Sequence, residues 1–413
     1  MGALIDNFEA LIRELETRKA LLPDFKINHQ GASVPTVPAK LLARIKTGEG
    51  DTQDAIEDGE FPFYVRSDTV RASDNWTFEG PAVLTSGDGA GVGKIFHYAE
   101  GKFRAHQRVY VLRDFKNVDP KYFYWCFQTN FPRQVEHGGA KATVESVRMN
   151  MVADTPIPLP PLEKQREIAD YLDREISEMD ALIEEFEELV SALERRRVKL
   201  VEHTFTINTP QSKTGISRVG LLSKMLRRGI SPDYSETFGV QVINQKCVRP
   251  AGQVDYDYCR LHDESEKKIA TNLLVQQGDV LINSTGTGTL GRSALVATAP
   301  DAPTTFDSHV TIVRPDKNKV DPAYLAWAIY SQEKRLIDFS VGSTNQIELS
   351  RATVANLELP YPPLEKQRQI AEELDREFER MDALIEESTQ LIENLKARKT
   401  ALITEVVTGR KEV

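Results

Sequence analysis

Three stretches of this chain carry residue types at spacings that could do chemistry. Asp88 followed by Glu100-Gly101-Lys102 has the acid and acid-x-lysine layout of a metal-dependent phosphodiesterase, where two carboxylates hold magnesium and a lysine stabilises the attacked phosphate. The second half of the chain offers no equivalent, and Ala99-Glu100-Gly101-Lys102 reads more simply as a hairpin turn. Gly87-Asp88-Gly89-Ala90-Gly91-Val92-Gly93-Lys94-Ile95 is spaced like a phosphate loop. Asp88 stands where its first glycine is needed, however, and Ile95 where a Ser or Thr would hold magnesium, which argues against ATP. Gly286-Thr287-Gly288-Thr289-Leu290-Gly291 matches the glycine spacing of dinucleotide-binding folds. The following Arg292-Ser293-Ala294-Leu295-Val296-Ala297 has the look of a strand, not a helix, so a glycine-rich hairpin is expected.

Seven scattered histidines, His97 and His106 included, show no paired ligand spacing. Cys126, Cys247 and Cys259 form no Cys-x-x-Cys, so neither a disulfide framework nor a cysteine zinc site is indicated and a reducing cytoplasm fits best. No catalytic constellation and no metal or cofactor site in this chain is expected. What stands out is local basicity beside polar residues. Thr204 to Pro232 holds Lys213, Arg218, Lys224, Arg227 and Arg228 without an acid, and Lys94 to Arg113 holds five cations against Glu100. Residue type and loop position nominate Lys94, His106, Arg108, Lys141, Arg227, Arg228, Ser284, Thr285, Thr287, Arg292, Asn345 and Gln346 as DNA contacts. The cations would neutralise phosphates, and the polar side chains would reach base edges.

Positioning such residues takes more than one domain, since 413 residues exceed a typical single core. Hydrophobic residues at 40% and charged residues at 28% describe a chain that folds in water, and its longest apolar run, Tyr324 to Tyr330, is far too short for a bilayer. The net charge of -10 is unevenly spread. Residues 162–203 and 364–406 carry most of the acidic excess, and what lies between them is near neutral, so composition alone does not point to DNA.

An internal repeat organises the chain. Pro158-Leu159-Pro160-Pro161-Leu162-Glu163-Lys164-Gln165-Arg166 recurs 202 residues later from Pro360, and 21 of 28 positions are identical across 158–185 and 360–387. Val118-Asp119-Pro120, Tyr122 and Trp125 recur at the same offset as Val320-Asp321-Pro322, Tyr324 and Trp327. After each proline block, apolar residues step by three and four, as Ile168, Leu172, Ile176, Met179, Ile183, Phe186, Val190 and Leu193 and again from Ile370 to Leu395, with Ser388 as a polar lapse. Each helix should start near Leu162 or Leu364 because the prolines cannot continue it backwards. The clusters Arg195-Arg196-Arg197-Lys199 and Lys396-Arg398-Lys399 are read as partners of the helix dipole. Neither helix is stable alone, so an antiparallel pair is expected, with a partial third copy in residues 1–27 docked beside it. The resulting division is 1–27 helix, 28–157 globular, 158–206 helix, 207–359 globular, 360–408 helix and 409–413 tail. The globular parts are mixed α and β, with strands at Val109–Leu112, Val240–Ile243, Val280–Ile282 and Val310–Val313 and short helices at Tyr122–Gln128 and Tyr324–Tyr330.

The twice-used Pro-Pro-Leu-Glu-Lys-Gln-Arg block leading into an acidic helix resembles the DNA specificity subunit of type I restriction-modification systems. So do Gly278-Asp279-Val280-Leu281-Ile282-Asn283-Ser284, Gly342-Ser343-Thr344-Asn345-Gln346-Ile347 and His106-Gln107-Arg108-Val109-Tyr110. The resemblance implies an α+β fold with two mixed α/β target recognition domains separated by long paired, antiparallel coiled-coil helices. It implies double-stranded DNA and two modification subunits as partners, and restriction subunits through the complex. It also implies a non-catalytic chain, with S-adenosylmethionine, ATP and magnesium on the partners. Leu162, Gln165, Ile168, Leu364, Gln367 and Ile370 would then lie on the partner-binding helices. A 63 Å helix, roughly, would act as a ruler between half-sites. A self-contained nuclease using Asp88, Glu100 and Lys102, and a coiled-coil scaffold binding protein only, are the alternatives.

Overall fold

The computed structural model describes residues 12–13, 34–137, 147–206, 215–286, 288–340 and 348–413. The chain divides into two compact units, residues 1–189 with 387–413 and residues 190–386. Of the helix expected over 1–27, only Ile12 and Arg13 fall among the described residues, both helical.

The first unit runs β1 (Thr36–Pro38), α1 (Ala39–Leu42), β2 (Arg44–Thr47), β3 (Phe61–Tyr64), β4 (Arg71–Ser73), β5 (Phe78–Glu79), β6 (Ala82–Ser86), β7 (Phe96–Ala99), β8 (Lys102–Ala105), β9 (Val109–Arg113), α2 (Pro120–His137), α3 (Met149–Ala153) and β10 (Pro156–Pro158). One sheet has the order β2-β9-β6-β7 and is antiparallel throughout; a second has the order β4-β3-β8-β5 with β3 and β8 parallel. The two share a core, in which Leu84, Val109 and Val111 of the first sheet pack with Tyr64, Phe78 and Phe103 of the second. Helix α2 outruns the expected Tyr122–Gln128. Phe123, Phe127 and Phe131, four residues apart, stack at 5.7 and 5.0 Å between ring centroids, and this buried ladder carries the helix on to His137.

The second unit repeats the plan with β11 (Gly215–Arg218), α5 (Val219–Leu222), β12 (Ser223–Arg228), β13 (Tyr234–Ser235), β14 (Val240–Ile243), β15 (Arg260–His262), β16 (Val280–Asn283), β17 (Ser293–Leu295), β18 (Thr304–Phe306), β19 (Val310–Pro315), α6 (Pro322–Tyr330), α7 (Glu333–Ser340), α8 (Arg351–Ala355) and β20 (Glu358–Tyr361). Sheet β12-β19-β16-β17 corresponds strand for strand to β2-β9-β6-β7.

The long helices α4 (Leu162–Phe205) and α9 (Leu364–Val407) begin where the proline blocks end, and each contributes one stretch to each unit. Their apolar stripes are buried, apart from half-buried Val190, Ile370 and Ile385, and Ser388 is buried within the second stripe. Within the first unit Lys399 meets Asp180 at 2.6 Å and Lys396 meets Glu187 at 2.9 Å; rising numbers on one helix face falling numbers on the other, an antiparallel pairing. Within the second unit Arg197 pairs with Asp382 and lies over the Phe378 ring. The dipole reading of these cations is therefore corrected. They sit well before the last turn, where the dipole has decayed, and answer carboxylates on the facing helix.

Each long helix is tied to the sheet-bearing part of its unit by the same clamp. Gln165 Oε1 accepts the Asp119 N–H at 2.8 Å while its Nε2 donates to the Pro160 carbonyl at 2.8 Å. Asp119 Oδ1 in turn accepts the N–H groups of Lys121 and Tyr122, capping α2, and Trp125 Nε1 donates to Asp173 at 2.9 Å. In the second unit Gln367, Asp321, Pro362, Trp327 and Asp375 make the same bonds. Gln165 and Gln367 are thus corrected from partner contacts to internal clamps, since both are fully buried with their amides spent. Ile168 belongs to the buried stripe, whereas Leu162 at 43% exposure and half-buried Leu364 and Ile370 keep outward surface. Replacing Gln165 with Leu keeps the bulk and strands a buried N–H and carbonyl. We expect a loss of about 2 kcal/mol in apparent unfolding free energy, read from urea denaturation of the full chain.

Candidate nucleic-acid interface

Strand register decides which loops meet. In the first unit Ser86 at the end of β6 faces Val109 at the start of β9, so the 87–95 loop and the 106–108 turn converge on one sheet end. Parallel β3 and β8 deliver Arg66 and His106 to the same end. There Asp88 accepts a bond from Arg66 Nη1 at 2.8 Å and lies 3.6 Å from Arg108 Nε. His106 is buried, and its Nδ1 accepts the Arg108 N–H at 3.0 Å. Burial, and then the Arg66 guanidinium, lower its pKa and favour the neutral ring that this acceptor role requires. The Arg108 side chain is left 63% exposed, and Lys94 is exposed on the loop. Tyr110 Oη donates to the Val147 carbonyl at 2.9 Å, fixing the chain that follows residue 146 against this face.

The second unit builds the same face with other side chains. Asn283 faces Val310, bringing the 284–292 loop to the 307–309 turn, and β12 ends there at Arg228. Asp307 Oδ1 accepts the His309 N–H at 2.9 Å, as His106 does for Arg108. Burial raises the Asp307 carboxyl above its ordinary pKa. Thr285 Oγ1 lies 2.7 Å from His309 Nδ1, in the place of the Asp88–Arg108 pair. Arg228 is ion-paired with Glu348, Arg292 Nη2 donates to the Gly288 carbonyl at 3.1 Å, and Arg227 is exposed.

The fold thus gathers Lys94, His106 and Arg108 at one sheet end, and Arg227, Arg228, Ser284, Thr285 and Arg292 at the equivalent end of the other unit. Lys141, Thr287, Asn345 and Gln346 lie outside the described residues. Ser284 is corrected. It is fully buried, its hydroxyl is 2.5 Å from Thr311 Oγ1 and both backbone groups are bonded, so nothing is left to present to a base. His106 positions the turn instead of facing outward. Arg66, Asp88, His309 and Gln245 are members of these faces that residue type did not nominate. Strand register, one residue off the 202-residue repeat, aligns His106-Gln107-Arg108-Val109 with Asp307-Ser308-His309-Val310 and so sets His309 in the place of Arg108.

The metal-site alternative fails on register. Glu100 follows Ala99, which pairs with Ala82, whereas Asp88 lies beyond the other end of β6, six residues or roughly 20 Å away. Lys102 stacks on Trp76, and Asp88 is already paired with arginine. Among the described residues no three His, Cys, Asp or Glu side chains gather as a metal site. The stretch from Gly286 is a hairpin between antiparallel strands, as expected, and the stretch from Gly87 links antiparallel β6 and β7 in the same way. At Gly286, with φ of +104°, a Cβ would strike Gln245 Oε1.

Two α+β domains sharing one four-stranded sheet order, each raising a cation-bearing loop face and each clamped to a long helix, define a two-headed recognition subunit. The model of the type I restriction modification DNA specificity domain matches residues 40–190 and 241–394, and the chain belongs to that family. The chain is 29% identical over 178 residues to the EcoDI type I specificity subunit of Escherichia coli, covering 43% of this chain and 38% of that one. It is 22% identical over 308 residues to the EcoBI subunit of the same organism, covering 68% and 63%. Those matches thus span about four-tenths and just under two-thirds of the relatives' own lengths. A solved chain described as part of the complex assembly and conformational transition of the type I R-M system superposes with a TM-score of 0.69 at 16% identity, covering 93% of this chain and 99% of that one. The HsdS subunit of Thermoanaerobacter tengcongensis gives 0.53 at 17% identity, covering 94% and 99%. Among the described residues no helix is long and apolar enough to cross a membrane. From the Asp88 geometry we expect millimolar magnesium to leave the thermal unfolding midpoint unchanged in both the native chain and Asp88→Asn; a native-only rise would restore the metal site.

Proposed function

We propose that this chain is the DNA specificity subunit of a type I restriction-modification complex, with each unit reading one half of a split, asymmetric target. What carries the reading is the gathering, at one sheet end of each unit, of loops bearing Lys94 and Arg108 in one case and Arg227, Arg228, Thr285 and Arg292 in the other. Most of these cations are already matched by carboxylates or carbonyls of the protein itself, so the faces are not polybasic. Such a surface holds DNA weakly in general and rewards a duplex that replaces those partners with phosphates in register. The two faces differ in nearly every outward side chain, so two unlike half-sites are expected. Double-stranded DNA is the ligand. Two modification subunits dock on the long helices, through which restriction subunits join, and S-adenosylmethionine, ATP and magnesium act on those partners. The chain supplies address and no catalysis, and works in the cytoplasm.

Two measurements test this. In the assembled methyltransferase, Arg108→Ala should weaken target and non-target DNA alike and reduce the slope of log affinity against log salt by about one; an unchanged slope would remove Arg108 from the phosphate contacts. Four residues inserted near Ala192 lengthen α4 by about 6 Å and should widen the gap between the methylated half-sites by about two base pairs. Modified-base sequencing reads the gap, and an unaltered spacing refutes the ruler.

A further inference from the structure

The repeat exposes a difference between the units that DNA recognition does not use. In the first unit Lys121 Nζ lies 2.6 Å from Asp173 Oδ2, the carboxylate that Trp125 bonds, and 5.9 Å from the centre of the Tyr98 ring, while Tyr124 packs against both Tyr98 and Trp125. The second unit keeps the carboxylate and the indole, with Trp327 Nε1 at 2.7 Å from Asp375 Oδ1. By repeat offset Lys121 becomes Ala323 and Tyr124 becomes Ala326, and by strand register Tyr98 becomes Leu295. All three changes remove bulk, and one removes the cation. A cavity of about 510 Å³ results, walled by Trp327, Tyr330, Phe378 and Tyr256 with Asp375 and Glu379 one helical turn apart along it. Arg197 reaches the same wall, where its guanidinium is spent on Asp382 and the Phe378 ring, as Lys399 is spent on Asp180 in the first unit. Among the described residues no cation forms an ion pair with Asp375, so the ammonium that the first unit provides from its own chain has no counterpart here.

We propose that this cavity binds a primary alkylammonium group, seated on Asp375 against the Trp327 and Phe378 rings as Lys121 is seated on Asp173. Carboxylate and aromatic faces together select an organic cation over a metal ion, because the rings attract the charge while the walls take up the alkyl chain. A free polyamine and a lysine reaching in from a docked protein share that chemistry. The site itself does not depend on the DNA reading.

The test titrates n-butylammonium into the full chain and follows the indole N–H signals of its three tryptophans by NMR. A saturable shift of the Trp327 signal is expected, with sodium at equal ionic strength as control. Asp375→Asn and Ala323→Lys, the latter restoring the internal cation, should each weaken it at least tenfold. Ala326→Tyr, which refills the space with the residue of the first unit, should also abolish the Trp327 shift, which keeps the test decisive if either of the other variants fails to fold. Absence of a Trp327 shift, or a shift undiminished in folded Asp375→Asn and Ala323→Lys, overturns the proposal. Spermidine binding at least tenfold tighter than butylammonium identifies a free polyamine; displacement of butylammonium by purified modification subunits identifies a protein lysine.

Discussion

Near the start of each long helix a glutamine has both ends of its amide buried and bonded, to an aspartate N–H on one side and a proline carbonyl on the other. The same aspartate caps the helix after the Val-Asp-Pro turn, whose tryptophan reaches back to an aspartate further along the long helix. Each bond alone contributes about 1 kcal/mol net, but losing one strands a buried polar group at a cost of about 1–3 kcal/mol. The unit is therefore stiff where sheet and helix join. Within each unit the loop end of the sheet has a fixed direction relative to its helix stretch, which the proposed reading of DNA requires.

The loop faces follow a different economy. Arg66 and Arg108 share Asp88, Arg228 is held by Glu348, and Arg104, set back in β8, is held by Asp54. Pre-pairing orients guanidinium groups and lowers the local positive potential, so the chain can carry a net charge of -10 and still offer cations to a phosphate backbone. On the proposed function, specificity would gain from this arrangement: a duplex that cannot place its phosphates on these groups would break internal ion pairs without replacing them, whereas one in register would exchange one partner for another.

Much of this organisation was legible in the sequence, because a 202-residue repeat and stripes of period three and four are strong signals that depend only on local spacing. The strands at Val240–Ile243 and Val280–Ile282 and the glycine hairpin from Gly286 were legible for the same reason. Register was not. The separation of Asp88 from Glu100 follows from which residue of β7 faces which residue of β6, and no local pattern encodes that pairing. Burial of individual polar residues was equally hidden. Ser284, Gln165 and Gln367 look like surface chemistry by type, yet a buried partner for each comes from 27 to 46 residues away in sequence. The aromatic ladder that extends α2 through Pro132 shows the same limit, since tertiary packing overrode a residue that ordinarily ends a helix.

Comparing the two copies separates frame from reading head. The residues that clamp sheet to helix are the same in both: Asp119 and Asp321, Gln165 and Gln367, Trp125 and Trp327, Tyr122 and Tyr324. At the loop ends the backbone bonds persist while the side chains change, with Asp88 replaced by Thr285, His106 by Asp307 and Arg108 by His309. A duplicated fold under no demand but stability would have little reason to hold the turn geometry at positions whose outward chemistry has diverged. On the proposed function, a shared backbone platform carrying unlike donors and acceptors is the arrangement that would let one architecture address two different base sequences.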